Sequence, residues 1–156
     1  MTLNTGLSDE DRKVVAEGLS RVLADTYTLY LKTQNYHWNV TGPRFKGLHE
    51  LFEEQYVELR EAADEIAERI RALGHFAPGS YAQFAELKSV EEAPATPPSA
   101  EEMLGQLAAD NETLSRVARS VVTSAENVED EVTIDMMVAR MSVHEKAAWM
   151  LRAHLQ

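Results

Sequence analysis

The chain has 156 residues, no cysteine and a formal net charge of −11. Its length suits a buried core, and we expect residues 1–156 to form a single domain. The lack of cysteine excludes disulfides and thiolate metal sites, while the acidic balance disfavours binding to phosphate backbones and favours the attraction of cations.

The N-terminal segment MTLNTGLSDEDRKVV lacks the basic and apolar runs of a signal peptide. No apolar stretch reaches the roughly 18 residues that a membrane span needs. We therefore expect a cytoplasmic protein with no membrane contact.

The first predicted helix runs from about Ser8 to Asn39. Ser8 is a suitable N-cap, and the three acids that follow it complement the helix dipole. The apolar stripe at helical spacing consists of Val15, Leu19, Val22, Leu23, Tyr30 and His37. A lone histidine on such a stripe is most often an interior residue, so His37 becomes a candidate ligand only through the cluster that follows it.

The second predicted helix runs from about Arg44 to Leu73, between the Gly42-Pro43 break and Gly74. At about 100° per residue, one broad face carries the metal-ligating side chains His49, Glu53, Asp64 and Glu68. The apolar stripe occupies another face and consists of Leu48, Phe52, Leu59, Ile66 and Ile70. The candidate ligands are therefore predicted to face away from the core of their own chain.

The spacing of these ligands predicts a site between two chains. His49 and Asp64 are about 22 Å apart along the helix, which is too far for ligands of one ion or of paired ions. In an antiparallel pair of such helices, His49 of one copy would face Glu68 of the other, and Glu53 would face Asp64. The two-fold axis would then pass between residues 58 and 59, creating two identical sites per dimer.

A second acidic line on the same helix consists of Glu50, Glu54, Glu58, Glu61 and Glu65. It is either a solvated face or, inside a closed shell, a lining that collects cations. His75 follows the helix in a loop and lacks a carboxylate pair, so we leave it out of the site. Residues Tyr81–Leu87 are predicted to form a short helix within a long, proline-containing crossover, which would let the flanking long helices run parallel.

Ser99 and Glu102 predict a capping box that opens the third long helix. The fourth is predicted to begin around Asp130. Its expected inward residues are Ile134, Met137, Val138, Met141, Ala148 and Leu151. Dipole complementation is our preferred explanation of its acidic start, and the alternative is the lining of an iron entry pore that includes Asp135.

One histidine, His144, and the two tryptophans lie outside the candidate ligand set. His144 lies on the apolar stripe and is predicted to be structural, because the Glu-x-x-His pair of a one-chain diiron centre is absent when position 141 is Met. Trp38 and Trp149 are expected to be core or interface anchors.

The run NYHWNVTGPRFKGLHELFEEQYVELREAADEIAERIRALG resembles the Dps family of mini-ferritins, the DNA-binding proteins from starved cells, and the likeness covers nearly the whole chain. The resemblance implies an all-α, ferritin-like four-helix bundle that assembles into a dodecameric shell. It also implies a two-iron ferroxidase centre shared across a two-fold axis. The corresponding positions here are His37, His49, Glu53, Asp64 and Glu68, and the family commonly has Asp in place of Glu53.

We accordingly expect oxidation of Fe(II) by hydrogen peroxide or dioxygen, storage of ferric mineral and protection against oxidative stress. Zinc is a possible competitor for the iron site. Two alternatives remain open. A DNA-compacting protein would need a basic tail, and this N-terminus offers only Arg12 and Lys13 beside three acids. A scaffold without catalysis would use its histidines structurally.

Overall fold

Five α-helices form the regular structure in the computed structural model, which describes residues 3–156. They are α1 (Asp9–Asn39), α2 (Phe45–Ala72), α3 (Tyr81–Leu87), α4 (Ala100–Asn127) and α5 (Glu131–Ala153). The predicted spans, including the short helix of the crossover, are confirmed. Met1 and Thr2, the first residues of the predicted non-basic N-terminal segment, lie outside the described residues.

Contacts at the two ends of the bundle define its topology. At one end, Arg44 beside the start of α2 donates to the backbone carbonyl of His154, just after α5, and to the carboxylate of Glu101 at the start of α4. At the other end, Arg69 of α2 donates to Asp130 at the start of α5. Helices α2 and α4 therefore run parallel, as predicted for a ferritin-like bundle with a long crossover.

The crossover lies along α1 and is held there by buried polar groups. Asp25 Oδ1 accepts hydrogen bonds from the backbone N–H groups of Ser89 and Val90, at 2.5 and 2.9 Å. Lys32 Nζ donates to the carbonyl of Glu91 at 3.0 Å. These bonds satisfy three backbone groups of the crossover, of which the N–H of Val90 is buried.

Side-chain caps fix the starts of the long helices α4 and α5. Ser99 and Glu102 form the predicted capping box, with each side chain bonded to the other's backbone N–H. The Asp130 carboxylate accepts the N–H of Thr133 and so caps α5. Asp130 is thus used within its own chain, while the pore interpretation of this acidic segment remains a prediction.

The core consists of two apolar clusters, one toward each end of the bundle. One includes Val15, Leu19, Val22, Ile66, Ile70, Val121 and Met137. The other includes Leu29, Tyr36, Leu48, Phe52, Leu104, Leu107 and Leu151. All five apolar stripe residues predicted for α2 are buried. Consequently the opposite face of α2 is left free for the candidate ligands.

The structure corrects two predictions about burial. Val138 was expected to face inward but is 51% exposed, whereas its neighbour Met137 is fully buried. Adjacent helical residues differ by about 100° in direction, and on α5 it is Met137 that points into the core while Val138 points away from it. Trp38 and Trp149 are 61% and 67% exposed, which excludes the core role in a single chain. The interface role of both remains a prediction.

Within residues 3–156, none of the helices combines the length and apolar character needed to cross a membrane.

The contacts of Asp25 predict a specific loss of stability. Replacing Asp25 with Ala would leave the buried N–H of Val90 and the partly buried N–H of Ser89 without their acceptor, and we expect the free energy of unfolding to fall by about 1–3 kcal/mol. Urea unfolding at a fixed protein concentration would measure this. Asp25→Asn is the matched control, because it keeps an acceptor oxygen and burial already raises the pKa of the Asp25 carboxyl, favouring its neutral form. Equal stability of the Ala variant and wild type would contradict this role.

Candidate metal centre

A pair of histidines joins the end of α1 to the beginning of α2. His37 Nδ1 lies 2.6 Å from the carbonyl oxygen of His49, and His49 Nδ1 lies 2.7 Å from the carbonyl oxygen of His37. The two imidazole rings are stacked, with centroids 3.8 Å apart and planes inclined by 12°. His37 is only 7% exposed, whereas His49 is partly exposed at the surface.

These hydrogen bonds determine which ring nitrogens can bind a metal. A carbonyl oxygen only accepts, so each Nδ1 must donate and carry the proton of the neutral ring. Each Nε2 then keeps its lone pair. A histidine that is held through Nδ1–H by a backbone carbonyl is the usual arrangement of a metal-binding imidazole. The ordinary interior role considered for His37 does not explain why both histidines share this arrangement.

Glu53 lies one helical turn after His49 and is exposed. Its Oε1 is 3.5 Å from the hydroxyl of Tyr56, and the Tyr56 ring meets the His37 ring edge-on at 5.2 Å between centroids. Glu53 therefore lies on the same part of the surface as the histidine pair, and Tyr56 lies between the carboxylate and the imidazoles.

The other predicted ligands, Asp64 and Glu68, form a separate carboxylate pair near the far end of α2. Both are exposed and lie one helical turn apart. Asp64 raises the pKa of the Glu68 carboxyl through a side-chain hydrogen bond and through charge repulsion. A cation between the two oxygens would relieve this repulsion, which makes the pair a suitable half of a metal site.

The structure does not bring the two halves together in one chain. Among residues 3–156, no group of three or more His, Asp or Glu side chains lies close enough to hold a metal ion. Asp64 instead borders a cleft of about 870 Å³ between α1, α2 and the α3 region. Apolar side chains such as Leu23, Ala67 and Phe84 form much of the cleft wall.

Glu58 departs from the acidic line predicted on α2. Its carboxylate receives two hydrogen bonds from the Arg140 guanidinium, at 2.5 and 2.9 Å. Glu58 is therefore neutralised by an ion pair within the bundle. Glu50 and Glu54 are exposed, and a role for them in lining a shell remains a prediction.

The same ion pair belongs to a polar network where a one-chain diiron centre would need carboxylates. Arg140 donates to His144 Nε2 at 3.1 Å, and His144 Nδ1 donates to Asn111 Oδ1 at 2.9 Å. Burial, followed by the charge of Arg140, lowers the pKa of His144 to about 3. His144 is thus a neutral, interior residue, in agreement with its predicted structural role.

Sequence reasoning did not identify Tyr56 or Arg140 as neighbours of these sites. Tyr56 lies seven residues after His49, so helical spacing could have placed it on the same side of α2. Arg140 lies four residues before His144, which could have predicted their contact. Its pairing with Glu58 is a contact across the bundle that spacing along one helix cannot reveal.

Comparison with known protein sequences agrees with the all-α architecture. The family model described as "Ferritin-like domain" matches residues 16–156. A protein of Bacillus anthracis named "DNA protection during starvation protein 2" is 40% identical, over 92% of this chain and 97% of its own. The chain belongs to the Dps family of mini-ferritins.

Solved Dps structures extend this agreement to the whole fold. DpsC from Streptomyces coelicolor superposes with a TM-score of 0.96 at 28% identity, covering all of this chain and 91% of that one. A Dps protein from Vibrio cholerae, described as a member of the ferritin-like diiron-carboxylate superfamily, gives 0.93 at 30% identity, covering all of this chain and 98% of that one. Membership of the Dps family supports iron storage and Fe(II) oxidation as the general class of function.

The low pKa of His144 predicts how acid affects the fold. Above pH 6.5 the histidine is neutral in both states, whereas between pH 6.5 and about 3 only the unfolded chain takes up its proton. This contribution to stability is therefore lost as the pH falls, at roughly 1.4 kcal/mol per pH unit.

Urea unfolding between pH 6.5 and 5 would measure this slope while most carboxylates remain charged. We expect His144→Gln to flatten it, because glutamine cannot take up a proton. The matched control is His154→Gln at an exposed position near the C-terminus, which should keep the wild-type slope. Identical slopes for His144→Gln and wild type would contradict the assignment.

Proposed function

We propose that this protein oxidises Fe(II) at two-iron centres built by two antiparallel copies of the chain and stores the ferric product as mineral. The observation that carries the proposal is the division of the ligands along α2. A histidine pair with both Nδ1 atoms held by carbonyls lies at its start, and a carboxylate pair lies near its end. Each half is incomplete in one chain, and the two halves are complementary.

The donor types suit iron as the substrate. In the proposed dimer, His37 and His49 of one copy supply imidazole nitrogens, and Asp64 and Glu68 of the other supply hard carboxylate oxygens. Glu53 completes or bridges the centre. These side chains bind and orient the two ions, so that both electrons needed for peroxide come from adjacent irons. Zinc, which also accepts imidazole and carboxylate ligands, would compete for the same positions.

Exposed aromatic rings near both halves support burial by a second copy. Trp38 and Phe45 are exposed beside the histidine pair, and the Phe45 ring stacks on His49 at 5.0 Å. Tyr81 is exposed at the rim of the cleft that includes Asp64. Large aromatic side chains are enriched in interfaces between proteins. A two-fold partner would cover both groups at once.

The wider assembly in this proposal is a closed dodecameric shell in the cytoplasm, in which Glu50 and Glu54 of α2 collect iron for mineral growth. Protection against oxidative stress follows, because Fe(II) and peroxide are removed together. DNA compaction is not part of the proposal. The net charge of −11 opposes binding to phosphates, and Arg12 and Lys13 near the start of α1 lie beside three acids.

The paired site predicts a preference among oxidants. Two adjacent Fe(II) ions supply the two electrons that convert one peroxide and two protons into two waters, so no hydroxyl radical need be released. We expect rapid-mixing measurements to show faster Fe(II) oxidation with hydrogen peroxide than with dioxygen. An Asp64→Ala/Glu68→Ala variant provides the background rate. Equal or reversed rates would remove the protective part of the proposal.

The division of the site between chains predicts complementation. A His49→Ala/Glu53→Ala variant and an Asp64→Ala/Glu68→Ala variant should each be inactive, because each retains only one kind of half-site. When the two are assembled together at random, half of the dimers are mixed and each has one complete site. Ferroxidase activity should then return to roughly one quarter of wild type.

Co-assembly from denatured chains, with the mixed species verified by mass spectrometry, would make this test. The matched control combines the His49→Ala/Glu53→Ala variant with a second variant altered in the same half, His37→Ala, which leaves no intact histidine half. Inactivity of verified mixed dimers, with both parental folds intact, would show that the ligands do not come from two chains.

A further inference from the structure

Arg60 lies on the face of α2 that carries the proposed ligands, between the two halves of the site. With His49 taken as zero and about 100° per residue, Arg60 projects at about 20° and Asp64 at about 60°. Arg60 is exposed and borders the same cleft as Asp64. A guanidinium therefore stands among carboxylates and imidazoles on this face.

The charge of Arg60 is not used within its own chain. The ion pairs formed in the described part of the chain use other lysines and arginines. The two arginines that follow it on α2 have their own contacts, because Arg69 donates to Asp130 and Arg71 lies over the Phe76 ring at 4.6 Å. An exposed arginine without a partner is common on protein surfaces, so the position of Arg60 relative to a second copy decides its role.

In the proposed antiparallel dimer, Arg60 lies beside the two-fold axis, which passes between residues 58 and 59. Asp64 is one helical turn away, about 6 Å along the same helix. Glu53 of the other copy lies level with Asp64 in this pairing. Since an arginine carries its charge on a long, flexible stem, the guanidinium can approach either carboxylate.

The proposed site needs a cation when no metal is present. It would combine the carboxylate of Glu53 from one copy with those of Asp64 and Glu68 from the other, whereas its two histidines are neutral. A hydrogen bond with Asp64 and the charge of that residue already raise the pKa of Glu68 in a single chain. Bringing a third carboxylate close adds like charge and opposes association of the two copies.

We propose that Arg60 is the counter-ion of the iron-free site, where its guanidinium neutralises the carboxylates and from which it withdraws when Fe(II) binds. This inference rests on the proposed function, and Arg60 acts through the ligands without binding iron itself. Its two effects have opposite signs. Arg60 stabilises the metal-free dimer, but it weakens metal binding, because Fe(II) must displace a cation from the same carboxylates.

An Arg60→Gln variant tests both effects, since glutamine keeps a polar side chain but removes the charge. Calorimetry with Fe(II) in the absence of oxygen measures binding to the assembled full-length protein. We expect binding to become about fivefold tighter, because a unit charge about 8 Å from a divalent ion in water repels it by that factor. Sedimentation of the metal-free protein at increasing salt should show that Arg60→Gln dissociates at a higher protein concentration than wild type. Arg60→Lys should resemble wild type in both measurements.

Arg119→Gln is the matched control. Arg119 is exposed on α4, away from the ligand face, and its loss changes the net charge equally. It should leave Fe(II) affinity and dissociation unchanged. If Arg60→Gln matches Arg119→Gln in either measurement, or binds Fe(II) more weakly than wild type, the counter-ion role is wrong and the proposed function still stands. Fe(II) binding that persists undiminished in Asp64→Ala/Glu68→Ala would instead overturn the proposed site itself.

Discussion

The reciprocal hydrogen bonds between His37 and His49 are the contact on which the candidate site depends. They join the last turn of α1 to the second turn of α2, so they close the helical hairpin and orient both imidazoles together. Because each bond uses Nδ1–H and a carbonyl, a single arrangement fixes two tautomers. The helices thus provide rigid support for the proposed ligands, as a precise metal site requires.

A polar network in the middle of the bundle helps to explain why the candidate site lies at the surface. There Arg140 pairs with Glu58 and donates to His144, which is held in turn by Asn111. A guanidinium cation occupies the region where a one-chain diiron centre would need carboxylates, and it repels other cations. Electrostatics therefore disfavours metal in the interior of this bundle and leaves the open face of α2 as the favourable location.

Features set by local sequence could be predicted, and features set by contacts across the bundle could not. The capping box of Ser99 and Glu102 needs only neighbouring residues, and the buried stripe of α2 needs only helical periodicity. The neutralisation of Glu58 depends on a residue from another helix. The exposure of Val138 depends on which of two adjacent apolar side chains the core accommodates.

In the candidate site, too, some features follow from local sequence and others depend on contacts between helices. Spacing along α2 was sufficient to predict that Glu53 and Asp64 belong to different halves, because a rigid helix fixes the distance between them. The reciprocal bonds of the histidines and the position of Tyr56 were not predictable, since they depend on the angle at which α1 and α2 pack. The types and spacing of the proposed ligands can thus be read from the local sequence, whereas the side chains around them are determined by how the helices pack.

Dividing a metal site between two chains would also couple iron chemistry to assembly. In the proposed function, a single chain offers each half as an incomplete cation site, because Asp64 and Glu68 lack imidazole ligands and the histidines lack this second pair of carboxylates. Bringing two copies together supplies both missing parts in one step. Iron that binds only the dimer would stabilise the dimer by mass action. Within the proposed function, the reactive ion would then be held firmly only where a second Fe(II) can join it.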